Sequence, residues 1–388
     1  MGILVSSSLC ARFPAALAAL ASSGLALAAA ITLLVCIIKA TIQTVIIMSS
    51  SSPNFNPFVA TGLFLLVSLL PTATTYLQPL VASMRMKRSL NNGELFSSLK
   101  LNANAVHLTA EEEAIGEAAR RAAWAAGKLM LKGSGRIDLS ADIESKVGSR
   151  DIVTEVDKKC QEVIMQTILF YFPHHKFLGE EDVAPGREAS AAAINELKNE
   201  PHLWIVDPID GTTNFAHGMP LAAVIIAYAE YGVVQHGFIF DPFRNESFTA
   251  WRGKGAYMNG QRIAVDKTER MDSAVVCTGS PPNLNALAAS LRATQLLSSK
   301  VRSMRVLGSA AVHLAWASAG RITAYFEADL NAWDLMAGAL IVEEAGGRVT
   351  DVWGQSVSLT TRNTVASNGK IHAELLRYLI EAKMCTTD

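Results

Sequence analysis

The sequence predicts a layered α/β or α+β protein with large mixed sheets behind a separate hydrophobic leader. Helix-period and strand-period segments alternate from about residue 109 onward without a strict βαβ rhythm. At about 150 residues per domain, a chain of 388 residues has ample length for a large core. Composition also breaks sharply near residue 94. Met1 to Gly93 contains no Asp or Glu, and only Arg12, Lys39, Arg85, Lys87 and Arg88 carry charge there.

Within that first part, the run between Arg12 and Lys39 is uncharged and rich in Ala, Leu, Ile and Val. Residues 13–38 meet the roughly 20-residue requirement of a membrane-spanning helix. A second apolar run, Phe58 to Leu70, is shorter and framed by Pro57 and Pro71, closer to the apolar region of a signal peptide. The lack of acids together with many Ser, Thr and Ala is similar to an organellar transit peptide, with less Arg than is usual. The expectation is a targeting leader over residues 1–104, directed to an organelle such as the plastid. A membrane anchor is the alternative, and Met48 offers another start. A single globular domain is expected over residues 105–388.

The domain opens with a helix over Glu111 to Leu131, where Thr109 and Glu112 have capping-box spacing. A second helix runs from Asp157 to Phe172 and stops at Pro173. Strands are expected at Lys176–Gly179, Leu203–Val206, Ala222–Tyr228, Val233–Phe240, Glu246–Trp251 and Ala274–Thr278, with a turn at Asn259-Gly260. Further helices fit Asn285–Leu297, Ser309–Ala319, Asp334–Ala345 and Ile371–Lys383.

Several function classes are excluded or weakened. The 34 basic residues balance 35 acidic ones for a net charge of −1, which argues against a nucleic-acid binder. Five scattered cysteines with no Cys-x-x-Cys pair signal neither a disulfide framework nor a cysteine zinc site. Gly133-Ser-Gly135 lacks the third small residue of a dinucleotide fingerprint, and Gly253-Lys254-Gly255 lacks Walker spacing. No Gly-x-Ser-x-Gly elbow or His-Glu-x-x-His pair occurs.

One segment looks like a site: Asp207-Pro-Ile-Asp210-Gly-Thr-Thr-Asn-Phe-Ala-His217-Gly, which runs from an apolar strand into a polar turn. Asp207, Asp210 and the Ile209 carbonyl can face one hard cation, because clustered carboxylates are unfavourable until a metal neutralises them. Two solvated turn aspartates would be the plain alternative. Other carboxylates sit at element ends: Asp151 and Asp157, Glu180 to Asp182, and Asp334. The amides of Gly211, Thr212 and Thr213 lie where the chain enters a helix, a setting suited to phosphate.

Taken in order, Lys146…Asp151-Ile-Val-Thr-Glu-Val-Asp157, Gly179-Glu180-Glu181, the Asp207 segment, Gly308-Ser309-Ala310-Ala311 and Glu327…Trp333-Asp334-Leu-Met-Ala-Gly338 resemble the signature of the inositol monophosphatase family. Its members are Mg²⁺-dependent, lithium-sensitive phosphomonoesterases, and the resemblance covers about residues 107–383. It implies an α-β-α-β-α sandwich that forms a homodimer and binds two to three Mg²⁺. Glu180, Asp207 and the Ile209 carbonyl would hold the first ion, and Asp207, Asp210 and Asp334 the second. Thr212 and Asp157 would orient the attacking water, so Thr212, Asp157 and Glu180 form the implied catalytic set. Gly211, Thr212, Thr213, Gly308, Ser309 and Ala310 would contact substrate, Glu327 a sugar hydroxyl, and Lys146 either phosphate or a third ion.

Hydrolysis of inositol monophosphate is the favoured expectation. Histidinol phosphate, sugar phosphates, fructose 1,6-bisphosphate and 3′-phosphoadenosine nucleotides are the rival substrates. A catalytically silent, membrane-attached regulatory protein is the rival from another class, and loss of one of the five residues Glu180, Asp207, Asp210, Thr212 or Asp334 would be its mark. His217, His236 and His313 are expected to be structural, and Cys277 buried and inert.

Overall fold

A computed structural model describes residues 107–137, 143–146 and 152–384. The expected leader, its 13–38 span and Asp151 lie outside the described residues. Among the described residues no helix is long and apolar enough to cross a membrane.

The chain begins with α1 (Ala110–Gly133), β1 (Ile143–Ser145), β2 (Ile152–Thr154) and α2 (Glu155–Tyr171). Then come β3 (Lys176–Gly179), α3 (Arg187–Leu197), β4 (Leu203–Asp210) and the short α4 (Thr212–Ala216). An antiparallel run follows: β5 (Ala223–Glu230), β6 (Val233–Asp241), β7 (Glu246–Trp251), β8 (Ala256–Met258) and β9 (Gln261–Arg262). The last third holds β10 (Val275–Thr278), α5 (Leu284–Ser298), β11 (Ser303–Val306), α6 (Ala310–Ser318) and β12 (Ala324–Glu327). It ends with α7 (Ala332–Glu344), β13 (Arg348–Thr350), β14 (Thr364–Ser367) and α8 (His372–Glu381).

Strands β3 to β9 form a seven-stranded sheet in sequence order, parallel only between β3 and β4. A five-stranded mixed sheet has the order β11-β10-β12-β14-β13. One apolar cluster joins α1 and α2 to the first sheet through Ala122, Ile164, Trp204 and Tyr228. A second lies between the sheets around α6 and α7, with Ala311, Leu314, Leu335 and Ile341. A third covers the outer face of the second sheet with α5 and α8, through Ala289, Phe326 and Leu375. The layers therefore run α-β-α-β-α, as the resemblance implies. Both middle helices are buried nearly all round, which suits a helix sandwiched between two sheets.

The Thr109–Glu112 capping box forms in both directions, Glu112 N–H donating at 3.2 Å and Thr109 N–H at 2.7 Å. The Asn259-Gly260 turn joins β8 to β9 with both residues at positive φ, as a two-residue hairpin requires. Sequence periodicity missed α3 and the short strands β1, β2, β8, β9 and β11 to β14. Those strands are two to four residues long, too short to show a period.

Candidate metal centre

Two carboxylates three residues apart on an ideal strand would point to opposite faces. In β4, however, Asp207 pairs with Ile225 while Asp210 pairs with Ala223, so β4 carries one extra residue over this step. That bulge restores the parity and brings both aspartates to one side of the sheet. Pro208, which has no N–H to give the ladder, falls inside the interruption. The Ile209 N–H turns instead to Asp207 Oδ1 at 2.9 Å.

Glu180 joins them because β3 and β4 are parallel with Gly179 beside Val206, which places Glu180 at the level of Asp207. Asp334 arrives from the first turn of α7, where it also accepts a hydrogen bond from Asn331 N–H at 2.7 Å. Ligand oxygens of Glu180, Asp207 and Asp334 lie within 4.8 Å of one another. Asp210 lies alongside, its Oδ2 accepting from the Ser309 hydroxyl and from Ala311 N–H at 2.8 Å.

Burial, then the charges of Glu180, Asp210 and Asp334, push Asp207 well above the usual carboxylate range. Asp334 is raised in the same way, by burial and then by Glu180 and Asp210. Burial lifts Asp210 to about 6 against the pull of Ser309 and the Ala310 and Ala311 amides. Lys146 answers part of this charge, with Nζ 2.8 Å from Glu180 and 3.0 Å from Glu181. Its own burial would lower its pKa, but the two carboxylates prevail and raise it. Negative charge still exceeds positive in the cluster. An all-oxygen donor set with excess negative charge fits a hard divalent cation such as Mg²⁺.

A second group stands next to the cluster. Asp157 is 1% exposed and accepts from the Thr154 N–H at 2.9 Å and from the Thr154 hydroxyl. Thr212 Oγ1 lies 3.1 Å from Asp157 Oδ1 and 3.0 Å from the Ile209 carbonyl oxygen. A hydroxyl has one proton. Given to Asp157, it leaves the Ile209 carbonyl available to a cation and the Thr212 lone pairs available to a water.

The remaining predicted residues line the turn between the two sheets. Gly211 and Gly308 both adopt positive φ, and a Cβ on Gly211 would sit 2.8 Å from the Leu221 carbonyl oxygen. Only glycine permits that approach. Ser309 caps α6, accepting from Val312 N–H at 3.2 Å, and Ala310 is buried behind it. Thr213 is exposed on α4. Glu327 ends β12 with its carboxylate buried against Gly279 and bonded by the Tyr325 hydroxyl. Burial raises it to about 8, with a further push from Asp210. A cavity of about 200 Å³ opens beside Glu180 and Lys146 and is lined by Arg187, Asn331, Trp333 and Arg362.

Sequence reasoning missed three supports. Asn214 donates to the carbonyls of Leu221 at 2.8 Å and Leu307 at 2.6 Å, tying the β4 turn to the α6 turn. Its place inside the Asp207 segment was the available signal. Gln161 Oε1 accepts from Glu181 N–H at 2.9 Å and fixes the Glu180 turn. Arg362 reaches the Asp334 loop from more than twenty residues downstream, and nothing local marks it. His236 and His313 are buried and pushed down to about 3 by burial, while His217 is exposed at the end of α4. Cys277 is buried, with its thiol pushed up to about 12 by burial.

A sandwich of this layering with a carboxylate cluster at the C-terminal ends of two parallel strands defines the class of metal-dependent phosphatases built on this fold. Residues 111–384 match the inositol monophosphatase family, and the chain belongs to it. A fructose-1,6-bisphosphatase/inositol-1-monophosphatase of Thermotoga maritima is 36% identical over 255 residues, covering 66% of this chain and 91% of the relative. Inositol monophosphatase 2 of Solanum lycopersicum is 37% identical over 270 residues, covering 69% and 98%. The crystal structure of the extragenic suppressor protein suhB from Bartonella henselae superposes with a TM-score of 0.61 at 35% identity, covering 69% of this chain and 98% of that one.

Proposed function

We propose that the protein hydrolyses small phosphate monoesters, inositol monophosphate foremost, with two to three Mg²⁺ held by Glu180, Asp207, the Ile209 carbonyl, Asp210 and Asp334. The observation that carries this is the convergence of Glu180, Asp207 and Asp334 oxygens within 4.8 Å. The Mg²⁺ ions, when bound, neutralise phosphate charge and lower the pKa of water. Around them the chain does the rest. Thr212, its proton committed to Asp157, accepts from the attacking water and so orients it. The amides of Gly211, Thr212 and Thr213 receive phosphate oxygens, and Lys146 adds positive charge nearby. Ser309 and the Ala311 amide keep Asp210 turned correctly, while Gly308 and Ala310 shape the wall against the leaving alcohol. Glu327 accepts from a hydroxyl of that alcohol when ionised and donates to it when protonated, with Tyr325 holding its other oxygen.

The names of the relatives support both an inositol ester and fructose 1,6-bisphosphate as substrates. Phosphate release by the purified protein is therefore to be compared for inositol 1-phosphate, histidinol phosphate, fructose 1,6-bisphosphate and adenosine 3′,5′-bisphosphate, with and without Li⁺. Preferred, Li⁺-suppressed release from the inositol ester supports the reading, whereas preference for another ester moves the function to that substrate. The composition break near residue 94 supports a leader directed to an organelle, the plastid first, and a mature N-terminus between residues 85 and 105 would fit it. The reading also takes the catalytic unit to be a homodimer, which sedimentation tests.

A further inference from the structure

Asp334 enters the carboxylate cluster directly after the loop formed by residues 328–331, and that loop is strained. Asp329 has φ of +65°, a left-handed conformation that Asp tolerates better than most residues but which still costs energy. Asp329, Leu330 and Asn331 are each held by residues 362–363 downstream. Asp329 N–H donates to Asn363 Oδ1 at 3.2 Å, and Leu330 N–H donates to the Arg362 carbonyl at 2.8 Å. The Arg362 guanidinium donates to Asp329 Oδ1 from Nε at 3.1 Å and from Nη2 at 2.8 Å. Its third arm, Nη1, donates to Asn331 Oδ1 at 2.6 Å.

Asn331 links this clamp to the metal centre. Its Oδ1 also accepts from the Ser190 hydroxyl at 2.8 Å, and its N–H donates to Asp334 Oδ2 at 2.7 Å. One oxygen of Asp334 is therefore aimed by a residue that Arg362 and Ser190 hold in place. An exposed ion pair would be worth little. Here the Asp329 side chain is 15% and that of Arg362 20% exposed, and the planar guanidinium grips Asp329 with two N–H groups while a third reaches Asn331, a fixed fork that the point charge of a lysine does not reproduce.

We propose that Arg362 is a positioning residue for the metal centre: it locks Asp329 and Asn331 so that Asp334 presents its carboxylate beside Glu180 and Asp207. This rests on the proposed Mg²⁺ site. Groups that orient metal ligands typically change affinity by 10- to 100-fold when removed.

Mg²⁺ binding by titration calorimetry on the full chain, with melting of the metal-free protein as a control, tests it. In Arg362→Gln, Mg²⁺ binding weakens by about 10-fold or more. Arg362→Lys behaves like it, and the metal-free melting temperature moves far less than the affinity. Phosphate release in both variants recovers with excess Mg²⁺ while KM for the ester holds. Binding within twofold of wild type in either variant overturns the proposal. Should the Arg362 variants fail to fold, Ser190→Ala decides, since it removes one bond to Asn331 and no charge. About tenfold weaker binding is then expected, the low end for such partners, and unchanged binding overturns the proposal. Wild-type protein that binds no Mg²⁺ would instead remove the metal reading beneath it.

Discussion

The Thr212 hydroxyl stands between Asp157 Oδ1 at 3.1 Å and the Ile209 carbonyl oxygen at 3.0 Å, and it can serve only one of them at a time. Its proton goes to the carboxylate whenever a cation takes the carbonyl. Thr212→Ala should therefore lower kcat by about 10²-fold, the usual worth of a group that positions a reacting proton. Thr212→Ser, which keeps the hydroxyl, should retain most activity. Steady-state phosphate release with the preferred ester measures both.

Asp210→Asn should abolish turnover while leaving the fold intact. An amide oxygen can still accept from Ser309 and the Ala311 N–H, so the turn is kept, but the charge that a cation needs is gone. A loss of about 10³-fold or more is expected for a missing charged ligand. Circular dichroism must show a wild-type melt, and near wild-type activity in such a variant would sink the two-metal assignment.

The pH dependence follows from burial. Asp157 and Asp210 are each raised to about 6, chiefly by burial, from an ordinary value near 4. Between these values the folded chain holds more protons than the unfolded one, so stability without metal falls as pH rises. Their contribution is fully present below about pH 4 and lost above about pH 6. Thermal melts in chelator across about pH 4 to 7 should show that decline superposed on other titrations. Added Mg²⁺ should flatten it, because the ion favours the ionised carboxylates.

Asn214 holds the two glycine turns through two short bonds to backbone carbonyls. Asn214→Ala leaves both acceptors without this partner in a part-buried setting and should cost about 2–6 kcal/mol at 1–3 kcal/mol for each orphaned group. Urea unfolding quantifies this. A loss below 1 kcal/mol would mean that water replaces the side chain.

Much of this was legible in the sequence, for identifiable reasons. Long amphipathic helices such as α1 and α2 declare themselves by period and caps, and β4 to β7 by apolar runs with turns between them. The carboxylates at strand and helix ends were also readable, because chemistry needs those residue types at those places. The bulge that aligns Asp207 with Asp210 was not, since it depends on the pairing of β4 with β5. Nor was the Arg362 clamp, whose partners Asp329 and Asn331 are brought to it only by the pairing of β12 with β14. Glu327 was readable as a residue but not as a buried one, because Gly279 against its carboxylate is a tertiary accident of the second sheet.

The central claim is that the carboxylate cluster gathers Mg²⁺ and that hydrolysis depends on it. Phosphate release followed while Mg²⁺ is titrated into chelator-treated full-length protein, alongside calorimetric binding, tests it most directly. The account predicts no release in chelator and recovery over the same Mg²⁺ range in which binding occurs. Undiminished release in excess chelator, or bound Mg²⁺ with no release from any ester, would contradict it.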